Sequence, residues 1–253
     1  MQQAHLFIIT GASRGMGAAI AAQLLQPDNV VLGISRRSDD KLAAHATAAG
    51  ASCEQWTADL AAPADVAKRL QAWLGTLDTQ RFDSVSLINN AAALTRIGHI
   101  EDCDDAELAS ALRVGLEAPV LLCSAFLRAT RGWRAARRVL NISSGLGRRA
   151  MAGQAAYCAT KAGMDHLSRA LALDEAQHTN GAKVVSLAPG VIDTDMQIAL
   201  RTGDPAGFPE QANFIALKEK GQLTSPDDAA ARVLAYLDRA DFGANPVADV
   251  REP

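Results

Sequence analysis

The sequence has few of the patterns that bind metals or form disulfide frameworks. Its four cysteines, at positions 53, 103, 123 and 158, include no CxxC pair, and its five histidines are dispersed without helical ligand spacing. Lys and Arg number 25 against 28 Asp and Glu, so no basic excess indicates nucleic acid or an anionic membrane. We therefore expect no metal site and no nucleic-acid partner. Because unpaired thiols are typical of reducing compartments, we also expect a cytoplasmic location.

Long apolar runs and interdomain linkers are also scarce. The run "LFIIT" at 6–10 is too short for the core of a signal peptide, and we expect no membrane-spanning segment elsewhere. No low-complexity stretch, fixed-period repeat or linker divides the 253 residues, a length that one α/β domain commonly reaches. Residues 1–253 are therefore predicted to form a single domain.

Short β-branched or apolar runs alternate with longer alanine-rich segments of helical period, which is typical of repeated βα units. The predicted strands cover 6–10, 30–35, 52–57, 84–89, 138–143, 183–188 and 246–250. The predicted helices cover 15–26, 39–49, 64–76, 104–130, 154–178 and 226–239. This pattern predicts an α/β fold, a doubly wound parallel sheet of about seven strands with helices on both faces. Residues 193–224 are predicted to be a long irregular loop that forms a substrate lid.

The first predicted strand runs into "TGASRGMG" at 10–17 and then into an alanine-rich helix. Gly11, Gly15 and Gly17 would let the backbone approach a pyrophosphate held at the helix N-terminus, where free N–H groups and the dipole favour an anion. A tight turn with positive φ would explain one such glycine. Three of them between a strand and a helix favour a dinucleotide site.

The residues after the second predicted strand indicate which dinucleotide is bound. An NAD enzyme usually carries an acid there for the ribose 2′-hydroxyl, whereas this chain has Arg36 and Arg37, with Arg14 in the glycine loop. Guanidinium groups match a phosphate bidentately, so the pattern predicts that NADP(H) is preferred. The alternative is an NAD(H) site that uses Asp39 or Asp40, although their position suits helix capping better.

Three residues indicate acid–base chemistry. Ser144 follows the fifth predicted strand, and Tyr157 and Lys161 lie four residues apart at the start of a predicted helix, on the same face. Tyrosine, with a pKa of ~10, is a poor catalyst at neutral pH unless a nearby cation stabilises its phenolate. We therefore expect Lys161 to lower the pKa of Tyr157. Taken alone, such a pair is a weak signal.

Taken together, the motifs resemble a known family. The glycine loop, "NNAA" at 89–92, Ser144, "YCATK" at 157–161 and "PGVIDTDM" at 189–196 resemble the classical short-chain dehydrogenases/reductases in order and spacing, over essentially the whole chain. The segments "ALRVGLEAPVLLCSAF", "AAYCATKAGMDH" and "APGVIDTDMQ" look closest to bacterial benzil reductases that form (S)-benzoin and to sepiapterin reductases. The resemblance implies a Rossmann fold, an oxidoreductase and a homodimer or tetramer formed through the helices at 104–130 and 154–178.

The resemblance also implies individual roles. Tyr157 would protonate the substrate oxygen, Ser144 would donate a second hydrogen bond to it, and Lys161 would bind the nicotinamide ribose. The implied cofactor contacts are Gly11, Ser13, Arg14, Gly15, Met16, Gly17, Arg36, Asp59, Leu60, Asn89, Ala91, Tyr157, Lys161, Pro189, Gly190, Ile192 and Thr194. The implied substrate contacts are Ser144, Leu146, Tyr157, Met196, Phe208 and Phe214.

The chain departs from the family pattern at two positions. Ala92 replaces the glycine of the usual NNAG motif, and Gly115 replaces the asparagine that is usually the fourth catalytic residue. Gly115 precedes Pro119 by four residues in "RVGLEAP", so the missing N–H of Pro119 would free the Gly115 carbonyl to hold a relay water. The glycine would also leave room for a second water. A simple proline kink is the alternative.

These patterns favour an NADPH-dependent reductase of a ketone or 1,2-diketone. Two alternatives remain. The first is an NAD(H)-linked alcohol dehydrogenase that acts on another substrate. The second is a non-catalytic NADP(H)-binding sensor, which the loss of the asparagine at Gly115 would support.

Overall fold

A parallel sheet of seven strands forms the centre of the molecule. The computed structural model describes residues 4–252, and all neighbouring strands in that range pair in parallel. The strands are β1 (Ala4–Thr10), β2 (Val30–Ser35), β3 (Ser52–Thr57), β4 (Phe82–Asn89), β5 (Ala136–Ile142), β6 (Lys183–Ala188) and β7 (Val247–Asp249). Their order is β3-β2-β1-β4-β5-β6-β7, so the direction of winding reverses between β1 and β4. Open α/β sheets bind ligands in the crevice at this reversal, and the predicted fold class is confirmed.

Helices cover both faces of the sheet. They are α1 (Gly15–Leu24), α2 (Asp40–Ala49), α3 (Pro63–Leu74), α4 (Asp105–Leu112), α5 (Ala118–Thr130), α6 (Ala155–Glu175), α7 (Asp195–Thr202), α8 (Gln211–Glu219) and α9 (Pro226–Leu237). One apolar core joins α3, α5 and part of α6 to the sheet, and a second core joins α1, α2 and α9 to the opposite face. Because the inner strands are covered on both sides, β2 reads as a continuous apolar run and is buried throughout.

The lid segment at 193–224 is not the irregular loop predicted from its glycines and prolines. It contains α7 and α8, and its Gly and Pro residues are concentrated in the connection at 203–209 between them. Apolar residues at helical spacing, Met196 and Leu200, direct α7 against the rest of the lid. The prediction of a loop here is wrong, because a composition signal from a short connector was extended over the helices that flank it.

The helix predicted for 104–130 is present as one helical stretch, Asp105–Thr130, with a local irregularity in its middle. A π-helical turn, Arg113–Glu117, separates α4 from α5, and the Ala118 N–H donates to the Arg113 carbonyl five residues back. Pro119 follows the π turn and has no N–H to donate to the Gly115 carbonyl. The prediction of one long helix is confirmed, and the π turn is a feature that the sequence did not predict. The sequence "RVGLEAP" marks this π turn.

The stretch 105–130 also corrects the expectation that no segment reaches membrane-spanning length. Its 26 residues have a mean hydropathy of 1.5 in the most apolar window, which satisfies the requirement for a span by length and composition. Half of that window is buried inside the fold, mainly where α5 packs on α3 and the sheet. A core helix between a sheet and other helices has the same apolar character.

Candidate active site

The glycine loop has the close backbone packing that a dinucleotide requires. Gly11 adopts φ +70°, and a side chain there would meet the Ala91 backbone at 3.1 Å. A methyl group at Gly17 would overlap the Gly11 carbonyl oxygen, so the loop and the start of α1 pack directly against each other. No side chain caps α1, so its first N–H groups keep their hydrogen-bonding capacity for an anion. The loop therefore fits a pyrophosphate.

Asn90 holds the glycine loop against β4, a role that the sequence reasoning missed. Its Nδ2 donates to the Thr10 carbonyl at 3.0 Å and more weakly to the Gly11 carbonyl at 3.4 Å. The Thr10 hydroxyl in turn accepts the backbone N–H groups of Asn90 and Ala91, each at 3.0 Å. The signal was available, because the second asparagine of "NNAA" follows a buried strand and a polar side chain there needs partners.

Arg36 and Asp39 follow β2, where the adenosine end of the cofactor is predicted to bind. Arg36 is exposed directly after β2. Asp39 instead accepts the Lys41 N–H at 3.0 Å as the N-cap of α2, and its own N–H donates to Gln55 at 2.7 Å. Of the two acids that an NAD site could use, Asp39 is therefore held as a helix cap, and Asp40 lies exposed in the first turn of α2.

Arg14 does not point freely toward a phosphate in this structure. Its Nη1 donates to Asp195 Oδ2 at 2.7 Å, which connects the glycine loop to the first turn of α7. Both side chains are about 70% exposed, at 68% and 71%, so the ion pair is weak and a bound phosphate could displace it. Asp59, the predicted adenine contact, is exposed after β3 and accepts the Ala61 N–H at 2.9 Å.

Further predicted cofactor residues lie at or after the carboxyl ends of β4 and β6. Asn89 is buried at the end of β4 and donates to Asn141 on β5 at 2.8 Å, so its side chain serves the sheet. Beyond β6, Ile192 forms a bridge to Thr224, and Thr194 begins α7 without capping it through its side chain. The Thr194 methyl lies 3.6 Å from the position of a side chain at Gly15, so the lid begins directly above the glycine loop.

Ser144, Tyr157 and Lys161 come from two neighbouring elements. Ser144 follows β5 and caps the turn Gly145–Gly147 by accepting the Leu146 N–H at 3.2 Å. Tyr157 and Lys161 are one turn apart in α6, and Lys161 Nζ lies 5.6 Å from the centre of the Tyr157 ring. Lys161 Nζ also donates to the Ile142 carbonyl at 2.7 Å. The structure thus brings the three predicted catalytic residues to one place.

The protonation of this group differs from the prediction. Burial raises the pKa of Tyr157 to about 12, opposed by the interaction with the Ser144 hydroxyl. Burial also lowers the pKa of Lys161 to about 8, opposed by Asp165. The pKa of Tyr157 is therefore not lowered in the protein alone, because burial outweighs the hydrogen bond with Ser144, and the expected effect of Lys161 on Tyr157 stays a prediction. At neutral pH Tyr157 is a neutral phenol beside a cationic lysine.

Gly115 packs closely against α6, so the space predicted for a second water is occupied. A methyl group at Gly115 would lie 2.9 Å from the Thr160 Cγ2 and 3.0 Å from its Cβ. Thr160 is itself held, because its hydroxyl donates to the Tyr157 carbonyl at 2.8 Å. The prediction of room for a second water is wrong. The idea that the Gly115 carbonyl holds one relay water stays a prediction, now placed in a π turn, a feature often found at functional sites.

Four of the six predicted substrate residues, Leu146, Met196, Phe208 and Phe214, belong to one apolar group, which we call the lid cluster. Its members are Ile97, Leu146, Met151, Cys158, Met196, Ala199, Leu200, Phe208 and Phe214. Phe208 is 0% exposed and stacks on Phe214 at 5.6 Å between ring centres. Contact between Phe208 and a substrate would require the lid to move. Leu146 and Cys158 place the cluster next to Ser144 and Tyr157.

The fold and the site together define an oxidoreductase that uses a nicotinamide dinucleotide. No three His, Cys, Asp or Glu side chains converge as metal ligands within residues 4–252. The model of the short chain dehydrogenase family matches residues 5–205, so the chain belongs to this family of NAD(P)-dependent oxidoreductases.

Known relatives agree with this assignment. A benzil reductase ((S)-benzoin forming) from Bacillus cereus is 35% identical over 235 residues, covering 93% of this chain and 94% of the relative. Sepiapterin reductase from Mus musculus is 32% identical over 247 residues, covering 93% and 92%. The crystal structure of a short-chain dehydrogenase/reductase from Burkholderia vietnamiensis is 35% identical with a TM-score of 0.65, covering 98% and 99%. Other solved structures of this fold contain NAD or NADP.

Proposed function

We propose that this protein is an NADPH-dependent carbonyl reductase that converts one carbonyl of a ketone or 1,2-diketone to an alcohol. The observation that carries the proposal is the catalytic group itself. A neutral Tyr157 phenol, the Ser144 hydroxyl and the Lys161 ammonium lie at the carboxyl edge of the sheet, beside the apolar lid cluster. The similarity to benzil and sepiapterin reductases supports a dicarbonyl or related substrate.

The residues that would carry out the reduction have separate tasks. NADPH supplies the hydride when bound. Tyr157 donates its phenolic proton to the carbonyl oxygen, and its raised pKa keeps that proton available at neutral pH. The Ser144 hydroxyl donates a second hydrogen bond to the same oxygen. The Lys161 ammonium stabilises the phenolate that remains after proton transfer.

The lid cluster supports a substrate with a flat apolar body. Its side chains, which include Leu146 and Met196, adjoin Ser144 and Tyr157. An aromatic group of the substrate would be buried against them, while the substrate carbonyl contacts the two hydroxyls. Methionine adapts its shape to different apolar partners, which suits a reductase that accepts several diketones.

Three arguments favour NADPH over NADH. Arg36 is exposed at the end of β2, Asp39 is committed to capping α2, and Arg14 is held only by an exposed ion pair. We expect Arg36→Asp to raise KM for NADPH by at least about tenfold, since a lost charge-assisted contact is worth about 1.5–3 kcal/mol. KM for NADH should change little. Arg134→Asp, an exposed charge reversal just before β5, is the matched control.

Initial rates with each cofactor test the proposal directly. Benzil, a pteridine and simple ketones would be offered with NADPH and with NADH. We expect turnover of at least one diketone and a clear preference for NADPH. Equal rates, or a preference for NADH, would contradict the arginine argument and favour the NAD(H)-linked alternative. Binding of NADPH without turnover of any carbonyl would favour the sensor.

We also propose that two copies associate through α5 and α6. A groove with a volume of about 480 Å³ lies between these helices, lined by Val120, Leu127, Leu167 and Leu171 among others. Val120 is 39% exposed and Leu173 on α6 is 70% exposed, which is unusual for large apolar side chains on helices this close to the core. Sedimentation analysis should show a dimer or tetramer, and Leu173→Glu should weaken it.

The four cysteines are free thiols, which supports a cytoplasmic location.

A further inference from the structure

Asp165 is a buried carboxylate that the mechanism above does not use. It lies one turn after Lys161 in α6 and is 1% exposed. Carboxylates are almost never this buried unless other groups pair with them, because removing the charge from water costs several kcal/mol. The partners of Asp165 therefore indicate what it does.

Hydroxyl groups from two strands converge on one oxygen of this carboxylate. Ser143 on the β5 side donates to Oδ1 at 2.5 Å, and Ser186 on β6 donates to the same atom at 2.7 Å. Ser143 is the neighbour of Ser144 in the chain. The carboxylate therefore fixes the backbone on which the catalytic serine sits.

The other oxygen faces the turn that Ser144 caps. Arg148 Nε lies 3.5 Å from Oδ2, and Arg148 Nη2 donates to the Ala248 carbonyl at 2.7 Å. Gly147 is packed against the same oxygen, since a methyl group there would lie 2.7 Å from Oδ2. The segments on both sides of Ser144 are thus held against the helix that carries Tyr157 and Lys161.

The carboxylate also has an electrostatic effect on the active site. Lys161 is buried, its Nζ donates only to the Ile142 carbonyl within residues 4–252, and Asp165 opposes the lowering of its pKa. The other titratable or charged groups that face this pair are Tyr157, with its neighbour Cys158, and Arg148. Asp249 adjoins Arg148 at 3.8 Å.

We propose that Asp165 is a positioning residue that holds the Ser143–Ser144 segment against α6 and keeps Lys161 cationic during carbonyl reduction. The inference rests on the proposed function, because it assigns Asp165 a part in the same reaction. Asp165 does not touch the reacting atoms and acts through Ser144 and Lys161.

The decisive measurement is the pKa of Lys161 in the protein without cofactor or substrate. Carbon-13 NMR of labelled lysines would follow it, with the Lys161 signal assigned by its loss in Lys161→Arg. In Asp165→Asn, which keeps the side-chain shape, we expect the pKa of Lys161 to fall by about 1 unit, because a neighbouring opposite charge has been removed. In Asp83→Asn, an exposed carboxylate at the far end of β4, it should not move.

Kinetics give the second readout. The alkaline limb of kcat for ketone reduction should move to lower pH in Asp165→Asn by the same amount. The kcat below that limb should fall roughly tenfold or more as Ser144 loses its fixed position. Asp165→Glu restores the carboxylate on a side chain that is one methylene longer. In this variant the alkaline limb of kcat should return toward the pH at which it lies in the parent protein.

Arg148→Gln keeps the inference testable if Asp165→Asn does not fold. Removal of the guanidinium leaves the Asp165 charge uncompensated, so the pKa of Lys161 should rise, opposite to the first variant. If the Lys161 signal titrates unchanged in every variant that folds, the inference is overturned, whatever the activity. If Lys161 shifts as expected but the parent reduces no carbonyl, Asp165 acts on Lys161 as inferred and the proposed function fails.

Discussion

The substitution Gly115→Ala tests why a glycine stands at position 115, where the resemblance to the family implies an asparagine. The new methyl group would lie 2.9 Å from the Thr160 Cγ2 and 3.0 Å from its Cβ, closer than such contacts normally come. Overpacking of this kind costs about 1–3 kcal/mol. Alanine recovers about 1 kcal/mol of helix propensity relative to glycine. We therefore expect the free energy of unfolding to fall by up to about 2 kcal/mol.

A double-mutant cycle with Thr160→Ser isolates the contact. Serine removes the nearest methyl group but keeps the hydroxyl that donates to the Tyr157 carbonyl at 2.8 Å. In that background Gly115→Ala should cost less, with a coupling energy of roughly 0.5–3 kcal/mol. Urea unfolding of the four proteins at one pH measures every term, and the same four proteins give kcat. A Gly115→Ala change that stabilises both backgrounds equally would refute the close-packing explanation.

Three further predictions concern the catalytic residues and the cofactor loop. Tyr157→Phe should lower kcat by a factor of about 10²–10⁴, because only the proton donor is lost. NADPH should still bind, as measured by the fluorescence of the cofactor. Undiminished turnover would remove Tyr157 from the mechanism. Since burial lowers the pKa of Lys161 to about 8, its charge is present below that pH and lost above it, so the reduction rate should fall as pH rises through about 8. A flat profile from pH 7 to 9.5 would contradict this role. Gly17→Ala should weaken NADPH binding and lower Tm, because the new methyl group overlaps the Gly11 carbonyl. Calorimetry measures both quantities. An unchanged affinity and an unchanged Tm would show that the loop is more open than described.

Much of the fold could be read from the sequence because its patterns are local. Three strands, β2, β3 and β6, have the predicted ends. Apolar, β-branched runs define β2 and β6. The glycine loop was equally readable, because a strand, three glycines and a helix follow each other within 17 residues. The errors occurred where tertiary packing overrides composition. The segment 193–224 was predicted to be a loop, and the π turn before Pro119 was not predicted.

The sequence by itself determined the order of strands and helices, the glycine loop, and which side chains are the candidates for acid–base chemistry. These features depend on residues that are close together in the chain, or on the order of motifs along the chain. Only the tertiary structure decided that Gly115 packs on Thr160, that Asn90 holds the glycine loop, and that Asp165 joins the segments around Ser144. The protonation of Tyr157 and Lys161 also belongs to the tertiary structure, because burial is the largest cause of the shift in both pKa values. Desolvation and close approach depend on residues far apart in sequence, and spacing along the chain does not encode them.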